Sequence, residues 1–457
     1  MPRTPQQLVE HALATTRADQ CVVVLRDSTR ANLRWAGNTL TTNGVMHDVV
    51  LTVVSFVGDR SASVTGSAVT AKQVDALVAA ADAHATTAPR AGDAAPLVEG
   101  GQGPDWDEAP VPTSIGVYDA LAPALGDVFE RAQSEGRLLY GFVDHDMTTT
   151  YVGSSTGLRL RHVQPTGHYG ITGKDTTLTR SAWVGGATRD FADVDVTALD
   201  AELSQRLSWA ERTIEIPAGR YDTVLPPTAV ADLTLYAYRR AGARVAHDGQ
   251  SVYSRPGGGT RIGDRIARPG VHLHSDPSRP GLEAQPFVTA TSSGPESSVF
   301  DTGLPLGPTD WIRDGNLTSL LQTRASAALT DQPATPVVDN LVLDVAGGAG
   351  TTEDLVAGVD RGLLVTCLWY IREVDPQTLL LTGLTRDGVY AIEDGEVVGA
   401  VSNFRFNESP VDLLRRFTHA SAAGPTFSRE WGDEFSRTEM PALRVPDFNM
   451  SSRSLAR

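Results

Sequence analysis

Apolar and polar positions change period several times along the chain. Behind Thr4-Pro5, Leu8, Val9, Ala12 and Leu13 recur at helical spacing. Cys21-Val22-Val23-Val24-Leu25 follows as an unbroken apolar run of strand length. Leu33-Arg34-Trp35-Ala36 and the apolar stretch 49–56 predict further strands, with Asn43-Gly44 as the turn between them. A second helix is expected over 71–85. Residues 1–85 thus read as an α+β domain built on an antiparallel sheet.

Over residues 86–114 the pattern gives way to Pro, Gly, Ala and acidic residues, a composition that buries too little apolar surface to offset ordering. This segment reads as a linker or long surface loop. A middle domain, 115–216, then shows an amphipathic helix near 118–132, strands around 138–143 and 148–152, and a helix near 198–213. Pro217-Ala218-Gly219 reads as a hinge opening a strand-rich C-terminal domain over 217–457. Its first helix is expected over 228–241, followed by strands at 341–345, 362–370, 388–392 and 396–401. Asp394-Gly395 is a type I′ hairpin signal between the last two. The fold class is α+β.

Composition narrows the function. With 457 residues and 41% hydrophobic content, the chain can bury a large core. Fifty-five acidic against 39 basic residues give a formal charge of −16, which repels a nucleic-acid backbone. The start, Met1-Pro2-Arg3-Thr4-Pro5-Gln6, has no apolar signal core, and no apolar stretch approaches a membrane span. The expected location is the cytoplasm, with no membrane partner. Cys21 and Cys367 sit in apolar runs, as buried thiols do.

Several short patterns carry possible chemistry. In His272-Leu273-His274-Ser275-Asp276, residues i and i+2 of a strand share a face, so the two imidazoles, with Asp276, are a rival metal site; such histidines are more often solvated. In Asp144-His145-Asp146 the carboxylates point away from the imidazole on a strand, which favours a polar face over a catalytic set. The glycines of 255–264 lack the spacing of a phosphate loop. Those of 344–353 precede a helix and suit an anion or a helix cap equally. No Gly-x-Ser-x-Gly elbow is present.

The chain resembles the TldD/PmbA (TldD/TldE) family over nearly its whole length. The resemblance is carried by 141–159, by 362–395, by Asn403-Phe404-Arg405-Phe406-Asn407-Glu408-Ser409-Pro410 and by Pro441-Ala442-Leu443-Arg444-Val445-Pro446-Asp447-Phe448. It implies a heterodimer of related subunits that degrades unfolded peptides or trims precursor peptides. The catalytic subunit holds zinc through His-Glu-x-x-x-His and a cysteine in a Gly-x-Cys-Gly segment. Laid on the first motif, Ala229-Val230 match its centre, while Pro227, Thr228 and Asp232 occupy the first-ligand, general-base and second-ligand positions. The cysteine segment corresponds to Arg429-Glu430-Trp431-Gly432-Asp433-Glu434. Neither Pro nor Thr supplies a metal ligand or base of the required kind. The resemblance therefore implies a subunit without catalytic residues or metal of its own, whose zinc-bearing, TldD-like partner holds the ion. Polar interruptions in the C-terminal domain give Arg372, Asp375, Arg405 and Asn407 as candidate peptide-binding residues, with salt-bridged surface turns as the equal alternative. Two other classes stay open: a metal-independent enzyme or accessory protein of specialised-metabolite biosynthesis, and a regulatory binding protein.

Overall fold

The computed structural model describes residues 3–67, 69–432 and 434–454. In the N-terminal half, α1 (Pro5–Thr15), β1 (Gln20–Trp35), β2 (Leu40–Val57), β3 (Arg60–Ser67) and α2 (Ala71–Thr87) are followed by α3 (Leu121–Ser134), β4 (Arg137–Ser154), β5 (Arg159–Asp175), β6 (Ser181–Thr188) and α4 (Val196–Trp209). The strands form one six-stranded sheet in the order β3-β2-β1-β4-β5-β6. Its strand pairs are all antiparallel.

Two expectations are corrected here. Residues 1–85 and 115–216 are not separate domains, because β1 and β4 pair from Val22↔Ser154 to Trp35↔Gly141. The turn between the first strands is at Gly37-Asn38, where both residues have positive φ, 58° and 63°; that pair suits a type I′ turn. Asn43-Gly44 lies within β2, opposite Leu33 and Asn32.

The periodicity of β1 explains how polar residues came to sit mid-strand. Cys21, Val23 and Leu25 pack on α1 and α2, while Ala31, Leu33 and Trp35, on the same face, pack beneath α3 and α4. On the other face Val22 and Val24 meet Phe287 and Phe300 of the C-terminal half. Further along that face Arg30 and Arg34 line a cleft. One long strand thus crosses two cores and a polar gap.

Residues 86–114 are a strap packed on the sheet rather than a free linker. Leu97 is buried against Val22, Val24 and Val54, Trp106 meets Tyr151 edge-on at 5.6 Å, and the Val111 amide donates to Thr149 at 3.1 Å. Leu97→Ala is expected to cost about 2 kcal/mol and to make this strap the first site of limited proteolysis. Equal urea midpoints for variant and wild type would refute that packing role.

The C-terminal half begins with β7 (Thr213–Ile214), β8 (Gly219–Leu225), α5 (Pro227–Arg239), α6 (Ala243–His247), β9 (Val271–Ser275), β10 (Thr309–Arg313), β11 (Asn316–Leu317), α7 (Arg324–Thr330), β12 (Leu341–Val345) and α8 (Thr352–Ala357). It continues with β13 (Arg361–Val365), β14 (Leu368–Asp375), β15 (Leu380–Thr385), β16 (Val389–Glu393), β17 (Glu396–Val401), β18 (Phe404–Glu408), α9 (Pro410–Arg416), β19 (His419–Ala420), β20 (Gly424–Thr426), β21 (Thr438–Met440) and β22 (Leu443–Arg453). A six-stranded sheet runs β11-β10-β9-β12-β21-β20, and a ten-stranded one runs β14-β15-β18-β22-β8-β13-β16-β17-β7 with β19 on β22. The run expected as one strand over 362–370 is two, β13 and β14, broken at Thr366-Cys367. Helix α5 is buried along every residue from Ala229 to Tyr238. Its side chains pack with Leu273 and Leu343 of one sheet and Leu363, Phe404 and Phe406 of the other. A helix buried on every side belongs in such an interior, with Asp232 and Thr234 as its buried polar positions.

Candidate functional site

Pro226 and Pro227 start α5, and the fixed φ of proline suits the first helical turn. The helix therefore aims its first turn, Pro227 and Thr228, at a hollow of about 390 Å³. Trp183 to Ala187 of β6 form the opposite wall, with Phe427 beside them. Since β6 ends the order of its sheet, its outer edge faces this hollow.

Asp232 lies one turn deeper in α5 and is fully buried. Its Oδ1 accepts from Ser428 Oγ at 2.6 Å and from the Glu430 amide at 2.9 Å, while Oδ2 has no partner. Burial outweighs these bonds and pushes the carboxyl up to about 7. The side chain at the second-ligand position thus ties α5 to loop 428–431. The structure brings together the two segments that the resemblance paired; Asp433, in the second of them, lies outside the described residues.

Arg429 fills the space beside them. Its guanidinium is 4.6 Å from the Trp183 ring and 5.2 Å from that of Trp369, donates to Asp387 at 2.8 Å and touches Cys367 Sγ. Burial pushes the Cys367 thiol up to about 12, so it stays protonated and supplies no thiolate. Sequence reasoning missed Arg429 and Trp183 as partners, because their contact joins a loop of the C-terminal half to a strand of the N-terminal sheet, far apart in sequence.

A larger cleft of about 1110 Å³ adjoins this region, between the N-terminal sheet and loop 427–437. Arg30, Asp144, Asp146 and His168 line one wall; Trp369 and Glu430 line the other. His168 stacks on Phe427 at 5.7 Å. As expected for a strand, His145 points the other way, 2.6 Å from Thr113 Oγ1 and 2.9 Å from the Arg189 carbonyl. Glu430 accepts from the amides of Tyr370 and Ile371 at 3.0 and 2.9 Å, holding a bulge where Tyr370 has φ of 51°.

The proposed peptide-binding residues lie outside both hollows. Arg372 reaches the rim of the cleft, 3.3 Å from Glu430. Asp375 caps its own turn through Gln377 and Thr378. Arg405 projects from β18 and Asn407 lines a separate hollow beside Arg220 and Arg416. The period of two is the reason: Phe404 and Phe406 take the core, which turns Arg405 and Asn407 outward. Around 344–353, the Asp354 carboxylate already accepts from the Thr351 amide at 2.8 Å, so the capping box takes the place of an anion.

His272 and His274 project from β9 with their Nε2 atoms near Asp310 and Asp344. Burial lowers both imidazoles below the ordinary histidine value. Asp276 is not with them; its carboxylate caps Ser278 instead.

The family model described as PmbA/TldA metallopeptidase C-terminal domain matches residues 218–452, just over half of the chain. The chain belongs to the PmbA/TldD family. Its fold is that of TldE from Thermococcus kodakarensis, with a TM-score of 0.78 at 16% identity over 97% of this chain and 99% of that one. A Thermotoga maritima protein described as a modulator of DNA gyrase gives 0.77 at 15% identity, covering 98% and 100%. A Bacteroides thetaiotaomicron protein of the same description gives 0.75 at 14%, covering 98% of each chain. Curated protein sequences yield no match. Among the described residues no helix is long and apolar enough to cross a membrane.

Proposed function

We propose that this PmbA/TldD-family chain is the non-catalytic subunit of a TldD/TldE-type heterodimeric zinc metalloprotease that acts in the cytoplasm on unfolded or precursor peptides. The observation that carries this reading is the state of the degenerate motif. Thr228 offers no carboxylate base, Asp232 is fully buried with its Oδ1 tied to Ser428 and the Glu430 amide, and a guanidinium stands beside them. Among the described residues there, none combines a metal-ligand set with a carboxylate base that would activate a water or a nucleophile. The zinc belongs to a TldD-like partner subunit.

The hollows suit peptide capture. An extended chain entering along the outer edge of β6 would find main-chain donors and acceptors between Trp183 and Ala187, a sequence-tolerant mode of recognition. The mixed charges of the larger cleft, Arg30 and Arg34 against Asp144 and Asp146, select no single side-chain class.

The test compares an unfolded peptide incubated with this chain, with its zinc-bearing partner, and with both. Hydrolysis is expected only, or far faster, in the mixture. A partner fully active alone and indifferent to this chain refutes the shared chamber.

A further inference from the structure

The outer face of the C-terminal six-stranded sheet gathers a second set of ligand-type side chains. Along β9, Val271, Leu273 and Ser275 are buried, so His272 and His274 point to the opposite face from α5. Strand register sets Asp344 of β12 across from His272 and Asp310 of β10 across from His274. The contacts run diagonally: His272 Nε2 is 2.6 Å from Asp310 Oδ1, and His274 Nε2 is 3.0 Å from Asp344 Oδ2. The imidazoles stack with centroids 4.3 Å apart and planes 21° from parallel. One ligand atom each from His272, His274 and Asp344 lie within 4.8 Å of one another.

We propose that His272, His274, Asp310 and Asp344 bind one divalent transition-metal ion of the Zn²⁺ class. His272, His274 and Asp344 supply three ligands already within 4.8 Å of one another, and Asp310, now paired with His272, completes a four-coordinate set by turning toward them; the two carboxylates neutralise the ion's charge. Bonds of roughly 2.0–2.2 Å in a tetrahedron separate ligand atoms by about 3.4 Å. The two ring–carboxylate pairs, at 2.6 and 3.0 Å, therefore open slightly, while the wider separations, up to 4.8 Å among His272, His274 and Asp344, close by up to about 1.4 Å, within the reach of χ rotations. The ion takes the place of the hydrogens shared between ring and carboxylate: each imidazole adopts the Nδ1–H tautomer and offers its Nε2 lone pair.

The bland alternative is two independent histidine–aspartate pairs on a half-exposed surface, which contribute little to stability. Burial holds both stacked imidazoles below the ordinary histidine value, so neither reading sets two imidazolium rings together; what favours the ion is that both rings and Asp344 converge on one point, which two independent pairs do not require. Arg313 also pairs with Asp310 and so orients that carboxylate from outside the set. By joining β9, β10 and β12, the ion would act as a clasp on the sheet. This inference stands independently of the proposed protease role, since α5 and loop 428–431 lie on the other side of β9.

The experiment uses the full chain alone, stripped by a chelator and titrated with ZnCl₂, and with CoCl₂ for its visible spectrum. One zinc per chain, intense tetrahedral Co²⁺ bands and a zinc-dependent rise in Tm are expected. His272→Ala and His274→Ala should each weaken zinc binding at least tenfold, and Asp344→Asn about tenfold. His47→Ala, which removes the pair with Asp27 on the N-terminal hairpin, should leave it unchanged. Metal-free melting curves check folding, and the exposed Asp344→Asn decides if a histidine variant unfolds. Absence of saturable binding by the wild type, or binding that survives the substitutions, overturns the proposal.

Discussion

Arg429→Ala is expected to lower the free energy of unfolding by about 3 kcal/mol, the low end of what removing one partner of a buried ion pair costs. The guanidinium holds Trp183 of the N-terminal sheet, Trp369 of β14 and Asp387 of the turn between β15 and β16. Truncation removes these ring contacts and leaves the mostly enclosed Asp387 carboxylate with less compensation. Ser181 Oγ at 2.7 Å and Arg386 at 3.4 Å remain beside that carboxylate, so the larger losses seen for isolated charges are not expected. Because the lost contacts bridge the two halves of the chain, the larger cleft should loosen with them. Urea unfolding of Arg429→Ala, Asp387→Asn and the double variant should show a coupling of about 1–3 kcal/mol. Additive losses, or an Arg429→Ala midpoint equal to wild type, would show that the arginine is not the joint between the halves.

The elements that came directly from sequence were those with one dominant environment. Helix α2 and the hairpin at Asp394-Gly395, with φ of 51° and 80°, follow from local chemistry alone. Strands β1 and β4 were broken in the reading because Arg26 to Arg30 and Asp144 to Asp146 are polar. The interruption is not a turn: the even-numbered positions leave the apolar contact and enter the cleft while the backbone ladder continues. The strap 86–114 was misjudged for a related reason. Its composition is that of a linker, but Leu97 and Trp106 suffice to anchor it, since each finds a prepared apolar seat.

At the candidate site, the resemblance paired two segments that the fold does bring together, and could not show how their side chains meet. That Pro227, Thr228 and Asp232 differ from a His-Glu-x-x-x-His set is legible from residue types. That Asp232 instead bonds Ser428 and the Glu430 amide depends on folding that joins positions nearly two hundred residues apart. Likewise, the β9 histidines were visible as an i, i+2 pair, but Asp310 and Asp344 arrive from neighbouring strands. The choice of Arg372, Asp375, Arg405 and Asn407 rested on polarity beside strands, which marks an exposed face and not which face borders a cleft.

Asp232→Asn should change the pH dependence of stability more than any other single carboxylate substitution near the site. The carboxyl titrates near 7 in the folded chain against an ordinary value of 3.8. A raised folded pKa means that the folded state holds the proton more tightly than the unfolded state. Its stabilising effect is therefore complete below about pH 4 and is lost as pH rises through about 7. A separation of about three units corresponds to at most about 4 kcal/mol. Asparagine keeps an oxygen for Ser428 and the Glu430 amide and has no proton to lose across that window. The wild type should thus lose stability relative to Asp232→Asn between pH 4 and 7, as read from paired urea midpoints with m unchanged. A constant difference across the window would mean that Asp232 stays ionised when buried. The expected slope would instead identify a carboxyl that is largely protonated just below neutrality, holding a loop in the place where the catalytic relatives are expected to hold an ion.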